Sequence, residues 1–167
     1  MPSTTSGRLA RIARALALIP REVRPLVTHQ SGAQHADALK QAYAAAGVQA
    51  STPAFIDDMA GAYSEADLAV CRAGATTVAE IAAAGLPGIL VPFPHAVDDH
   101  QTRNAHFLAD AGAAVLVPQS ELTPERLAEL ITGFDRKRLL EMAVRARSLS
   151  RPDATAAVAR ACMELAP

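Results

Sequence analysis

A loop of small residues between a strand pattern and a helix pattern has the clearest chemical potential in this sequence. Residues 68–71 form a short apolar run typical of a buried parallel strand, and a helical pattern opens at Thr76 or Thr77. Between them, Ala73-Gly74-Ala75 permits close backbone approach. Helix N-termini favour anions, and open α/β sheets bind ligands at the carboxyl ends of their strands. The stretch predicts an anion-binding loop, although the same residues also fit a plain tight turn.

Glu80 is the first carboxylate after this loop, and its position allows two interpretations. Thr77 and Glu80 have the spacing of a capping box, in which the glutamate accepts a hydrogen bond from the N-cap N–H. Alternatively, Glu80 accepts hydrogen bonds from the hydroxyls of a ligand, as the acidic residue of dinucleotide-binding folds does with ribose. The spacing alone favours the capping box.

Several histidines and aspartates between residues 95 and 106 invite a metal interpretation, because imidazole and carboxylate bind many divalent ions. Their spacing matches no standard site such as HExxH, and Asp98 and Asp99 are more simply N-cap residues. We expect no metal. A hydrolase triad is not predicted either, because no GxSxG elbow positions a serine. His29, at the end of a predicted strand, either lines a cleft or simply ends the strand.

Composition restricts the function classes further. The 167 residues carry a net charge of −1, which does not suggest nucleic acid as a partner. No apolar run approaches the ~18 residues of a membrane span, and no signal peptide is evident. Cys71 and Cys162 form no CxxC pattern, so we expect both to be reduced and buried. A cytoplasmic protein is the default expectation.

Strand and helix patterns alternate along the chain, which predicts an α/β fold with a doubly wound, Rossmann-like parallel sheet and helices on both faces. We expect a disordered segment at residues 1–7 and one domain over residues 8–167. The first periodic element is a helix, so the usual first strand and its glycine-rich turn are missing from the pattern. The predicted strands are 26–29, 48–52, 68–71, 89–91 and 114–117.

Four phrases together resemble the C-terminal half of the MurG family of glycosyltransferases. The phrases are FIDDM (55–59), CRAGATTVAE (71–80), AGLP (84–87), and VPF (91–93) with DDHQTRNA (98–105). The resemblance implies one Rossmann-like half of a GT-B fold, with the active site between two such halves. It further implies transfer of N-acetylglucosamine from its UDP-sugar to the muramoyl-pentapeptide on undecaprenyl diphosphate, the conversion of lipid I to lipid II in peptidoglycan synthesis.

The resemblance also implies that this chain is the donor-binding domain. Ile56 would face the uracil with its backbone and Met59 would pack nearby. The loop and helix start would lie under the diphosphate, with Glu80 on the ribose hydroxyls. His100 and Gln101 would contact the N-acetylglucosamine hydroxyls; the family often has Gln-Gln here, so His100 is a departure. The implied donor-binding residues are Ile56, Met59, Arg72, Gly74, Ala75, Thr76, Thr77, Val78, Ala79, Glu80, His100 and Gln101.

Two further departures concern what the family has and this chain lacks. The family's donor domain opens with a strand and a Gly-Gly-Ser-type loop, where this chain has STTSG at residues 3–7. The acceptor domain and its histidine are missing, so no catalytic residue, metal or cofactor is assigned to this chain. The resemblance implies UDP-N-acetylglucosamine and the lipid-linked acceptor as partners, with peripheral contact of the complete enzyme at the inner face of the bacterial plasma membrane. Two alternatives stay open: the small subunit of a split transferase, or a non-enzymatic sugar-nucleotide-binding module.

Overall fold

The computed structural model describes residues 4–94 and 99–165, and these residues fall into two compact units. The first unit comprises the residues up to Ala62 together with Ser120–Asp135, and the second comprises Tyr63–Gln119 together with the residues from Arg136. Residues 120–135 return to pack against the N-terminal helix, and the expectation of one domain over residues 8–167 stays a prediction.

Strands and helices alternate in the second unit, as the sequence patterns indicated. The first helix begins at Thr4, inside the segment 1–7 that was expected to be disordered. The strands are β1 (Ala69–Cys71), β2 (Gly88–Leu90) and β3 (Ala114–Leu116). The helices are α1 (Thr4–Leu18), α2 (Ala36–Ala45), α3 (Met59–Glu65), α4 (Ala75–Ala84), α5 (His100–Ala109), α6 (Pro124–Gly133), α7 (Arg136–Ser148) and α8 (Ala154–Leu165).

The first unit is built around α1, which packs against α2 and α6. Leu16 and Ile19 are buried at helical spacing, and they join Leu39 of α2 and Leu127 of α6 in the core. Arg24 donates from Nε and Nη2 to the Ile19 carbonyl, at 3.2 and 2.9 Å. A cation at this position suits the negative end of the helix dipole.

The two predicted strands of the first unit, 26–29 and 48–52, form only an isolated parallel bridge between Thr28 and Ser51. The His29 N–H donates to the Ser51 carbonyl and the Ser51 N–H to the Val27 carbonyl, both at 2.8 Å. Leu26, the leading residue of the first run, is fully exposed, unlike the residues of a buried parallel strand.

His29 packs against Tyr43, with Nδ1 3.0 Å from the tyrosine hydroxyl and the two rings edge to face at 5.8 Å. The contact favours the interpretation that His29 ends the strand. Burial lowers its pKa from 6.5, because burial disfavours the charged imidazole.

We expect His29 to make the protein less stable as the pH falls below 6.5. The unfolded chain takes up a proton at that pH while the folded imidazole resists it, so stability is lost until the lowered pKa is reached. Thermal melts from neutral pH to about pH 5 should therefore show a shallower dependence in His29→Gln than in the wild type. His106→Gln is the control, because His106 is exposed beside Asp110. Equal slopes for wild type and His29→Gln would contradict the prediction.

The second unit contains a parallel sheet in the order β1-β2-β3, with Val70 opposite Ile89 and Ile89 opposite Val115. The central strand β2 is fully buried, whereas β1 and β3 are largely half-buried. Each crossover carries one helix, and α4 packs against both α5 and α7. The predicted α/β class with a parallel sheet is confirmed.

One cysteine expectation is wrong. Cys71 at the end of β1 is half-buried, and burial raises the pKa of its thiol to about 12. Cys162 is exposed. Its helix, α8, has no buried residue, so the apolar positions of its pattern do not enter either core.

Candidate functional site

The loop between β1 and α4 leaves the first turn of α4 without a side-chain cap. Gly74 is the N-cap, with φ −63° and ψ 148°, and no side chain bonds to the first N–H groups. The N–H groups of an opening helical turn have no intrahelical acceptor, so those of Ala75, Thr76 and Thr77 are available to a ligand. This is the geometry of an anion site at a helix N-terminus.

The capping-box interpretation of Glu80 is wrong. Because α4 begins at Ala75, Thr77 lies inside the helix and Glu80 lies beyond its first turn. The Glu80 carboxylate is exposed and accepts a hydrogen bond from the Tyr63 hydroxyl at 3.1 Å. Of the two interpretations, a side chain directed towards a ligand is the one left open.

Arg72 fixes the loop to the ends of the neighbouring strands. Its Nη1 donates to the carbonyls of Val91 and Pro92, at 2.9 and 2.8 Å, just beyond β2. Its Nη2 donates to Gln119 Oε1 at 2.5 Å, beyond β3, and the guanidinium lies 5.3 Å from the ring centre of Phe93. Arg72 therefore joins the carboxyl ends of all three strands, so it shapes the site even without touching a ligand.

Helix α5 contacts both the loop before α4 and the chain that follows β2. Asn104 Nδ2 donates to the Ala73 carbonyl at 3.1 Å, and Gln101 Oε1 accepts from the Phe93 N–H at 3.0 Å. His100, the first residue of α5, is exposed. The Gln101 amide is thereby oriented by a backbone contact through its oxygen.

The metal interpretation rested partly on residues 95–98, which lie outside the described residues. Asp99 adopts a left-handed conformation, φ 52°, at the N-cap of α5, and its Oδ1 accepts from Thr102 Oγ1 at 2.6 Å. Elsewhere in the part of the chain that the structure describes, no three His, Cys, Asp or Glu side chains are grouped to hold a metal.

A cavity of about 610 Å³ lies beside α4 and is large enough for a nucleotide-sized ligand. Predicted residues on its wall are Ala75, Thr76, Val78, Ala79 and Glu80. The sequence interpretation missed its cationic residues, which are Arg103, Arg147 and Arg151. Arg147 also donates to the Ala83 carbonyl near the end of α4. The lining thus combines apolar surface with three cationic side chains and the Glu80 carboxylate, an excess of positive charge that suits an organic anion.

The predicted uracil contacts belong to the first unit. Ile56 and Met59 are both half-buried, and Met59 begins α3 after Asp58, whose Oδ1 accepts from the Gly61 N–H at 2.8 Å. In the second unit, the Val78 side chain is buried in the core beneath α4, so its main contribution is to hold the helix in place.

The pKa of Tyr63 is shifted by its burial and by its contact with Glu80. Burial, and then the hydrogen bond with Glu80, raise the pKa of Tyr63 to about 12. We therefore expect the phenol to stay protonated at pH 10, where an exposed tyrosine is half ionised. The stability tied to this neutral phenol should persist below pH 10 and disappear as the pH rises through about 12.

Near-ultraviolet absorbance of tyrosinate tests this in the variant Tyr43→Phe, in which Tyr63 is the sole tyrosine. Adding Glu80→Gln should lower the midpoint, because the neighbouring negative charge is removed. A midpoint near 10 in the folded single variant would contradict the prediction.

Comparison with known sequences places these features in a family. The sequence model of the glycosyltransferase family 28 C-terminal domain matches residues 8–158. A protein of Nitrosospira multiformis named UDP-N-acetylglucosamine--N-acetylmuramyl-(pentapeptide) pyrophosphoryl-undecaprenol N-acetylglucosamine transferase is 60% identical over 154 residues, covering 92% of this chain and 43% of that protein. A protein of the same name from Dechloromonas aromatica is 59% identical over 155 residues, covering 93% and 44%. The chain spans less than half the length of these curated relatives.

Comparison with solved structures also finds glycosyltransferases. The crystal structure of Acinetobacter baumannii MurG superimposes with a TM-score of 0.87 at 46% identity, covering 98% of this chain and 50% of that one. The spinosyn forosaminyltransferase SpnP, at 14% identity and a TM-score of 0.65, shares the fold over 93% of this chain and 38% of its own. The chain therefore belongs to the glycosyltransferase family 28 C-terminal domain family.

Proposed function

We propose that this chain is the donor-binding half of an inverting glycosyltransferase. The complete enzyme would move N-acetylglucosamine from UDP-N-acetylglucosamine to the muramoyl-pentapeptide on undecaprenyl diphosphate, converting lipid I to lipid II. The observation that carries the proposal is the uncapped N-terminus of α4, which shares one helix with the exposed Glu80 carboxylate. The names of the two relatives described above support the donor sugar and the acceptor.

Within the second unit, the proposed contacts divide by chemistry. The diphosphate takes hydrogen bonds from the N–H groups of Ala75, Thr76 and Thr77, and the helix dipole favours its charge. The ribose hydroxyls donate to Glu80. His100 and Gln101 contact the sugar. The uracil contacts of Ile56 and Met59 stay a prediction from the resemblance.

The proposed reaction is a single displacement at the anomeric carbon. The C4 hydroxyl oxygen of the muramoyl sugar forms a bond to that carbon as the bond to the UDP β-phosphate oxygen breaks, and UDP leaves with the electron pair. The amides at the α4 N-terminus stabilise the charge that develops on the leaving diphosphate. The hydroxyl proton goes to a base that this chain does not supply, so we expect the chain alone to be inactive.

The proposed location is peripheral, at the inner face of the bacterial plasma membrane where the lipid-linked acceptor resides. Among the described helices, none is both long and apolar enough to cross a bilayer. We propose that membrane contact comes from the surface of the complete enzyme.

Calorimetry with UDP, UDP-N-acetylglucosamine and UDP-glucose tests the proposal. Two proteins are compared: the 167-residue chain, and a chimera in which this chain follows the N-terminal part of the Nitrosospira multiformis relative. We expect weak or no binding by the chain, and binding with product formation by the chimera.

Each other outcome identifies a different alternative. Lipid-linked product from the chain alone would overturn its role as half of a site. Absence of UDP binding by a folded chimera would favour a non-enzymatic module. Activity restored by a separately expressed acceptor subunit would favour a split transferase.

A further inference from the structure

We propose that Tyr63 is a positioning residue that holds the Glu80 carboxylate ready for the ribose hydroxyls of the donor. This inference rests on the proposed function, in which Glu80 binds the ribose. Neither the sequence motifs nor the resemblance assigned a role to Tyr63, because it is 17 residues from Glu80 along the chain.

The contact between one side chain of α3 and one side chain of α4 supports the inference. Tyr63 lies on α3 with its ring packed against the core of the second unit, whereas Glu80 lies on the exposed face of α4. The phenol donates to Glu80 Oε2 at 3.1 Å. An ionised carboxylate has about four acceptor positions, so one bond from Tyr63 leaves capacity for a pair of ribose hydroxyls.

The contact matters because a glutamate side chain is flexible. An exposed glutamate on a helix loses rotamer freedom when it binds a ligand, and that loss weakens binding. The rigid Tyr63 ring restricts the carboxylate before the ligand arrives. Since burial raises the pKa of Tyr63 to about 12, the phenol remains a donor at physiological pH.

The test is a double-mutant cycle of Tyr63→Phe and Glu80→Ala, measured by calorimetry on the chimera described above. The ligands are UDP and 2′,3′-dideoxyuridine diphosphate, which lacks the hydroxyl pair. Tyr63→Phe keeps the ring, so the packing against the core is preserved. Tyr43→Phe is the matched control, because it removes a tyrosine hydroxyl in the first unit, beside His29.

We expect Tyr63→Phe to weaken UDP binding about two- to tenfold, the share that immobilising one side chain contributes. It should leave the dideoxy ligand unaffected and have no effect in the Glu80→Ala background. Equal losses for both ligands, or losses that add in the double variant, would show a purely structural role and overturn the inference. If the wild-type chimera binds UDP and Tyr63→Phe binds it equally well, only this inference fails. If the folded wild-type chimera does not bind UDP, the proposed function fails first.

Discussion

Replacing Arg72 by alanine is expected to destabilise the protein by about 2–3 kcal/mol and to abolish UDP binding by the chimera. The guanidinium donates to three acceptors that lie beyond the ends of β2 and β3, and the Val91 and Pro92 carbonyls belong to buried residues. Without the guanidinium those carbonyls lose their charged donor, and the loop that precedes α4 loses its attachment. Urea unfolding and UDP calorimetry measure the two effects.

Arg72→Lys separates charge from geometry. A lysine ammonium keeps the charge but lacks the planar fork that reaches several acceptors at once, so we expect most of the destabilisation to remain. Arg136→Ala is the matched control. Arg136 is exposed, and its ion pair with the exposed Asp67 carboxylate is long, at 3.9 Å. It should change the free energy of unfolding by less than about 0.5 kcal/mol. A near-native Arg72→Lys variant would show that charge alone suffices.

Glu80→Ala is expected to weaken UDP binding by the chimera about tenfold to a hundredfold, because hydrogen bonds to a charged group contribute about 1.5–3 kcal/mol each. Its effect on folding should be small, since Glu80 is exposed and alanine favours helices. The expected signature is therefore a loss of affinity at an almost unchanged melting temperature.

The control for this prediction is Glu129→Ala on α6, where an exposed glutamate pairs with Arg126 at 3.5 Å. It should alter neither affinity nor melting temperature appreciably. A Glu80→Ala chimera that binds UDP as tightly as the wild type would exclude Glu80 from ribose recognition, whatever binds the diphosphate.

Local signals in the sequence were sufficient for many element ends. Thr123 accepts from the Arg126 N–H at 3.1 Å with Pro124 as the first residue of α6, and a threonine followed by proline is a typical sequence signal of a helix start. Gly85 ends α4 with φ 66°, a left-handed conformation that glycine adopts readily at helix ends. Such caps depend only on neighbouring residues, so a single sequence contains them.

The capping-box interpretation of Thr77 and Glu80 was wrong because the true helix start has no such local signal. Gly74 begins α4 without any side chain that marks an N-cap, so the sequence pattern indicates a helix start at Thr76 or Thr77 instead. Most of the site geometry was equally hidden, because it depends on contacts across the fold. The acceptors of Arg72 lie 19, 20 and 47 residues further along the chain, and Asn104 reaches back 31 residues to Ala73. No spacing rule reports such pairs.

The Asn104 bond to the Ala73 carbonyl has a consequence for selectivity between donors. It ties α5, which carries His100 and Gln101, to the loop that leads into α4. The hydrogen bond thus helps to hold the proposed phosphate contacts at a constant distance from the proposed sugar contacts before a nucleotide binds. Choice among UDP-sugars should then depend on the lengths of the side chains at positions 100 and 101. Shorter or bulkier side chains at these two positions would change which hexose fits without changing the affinity for UDP.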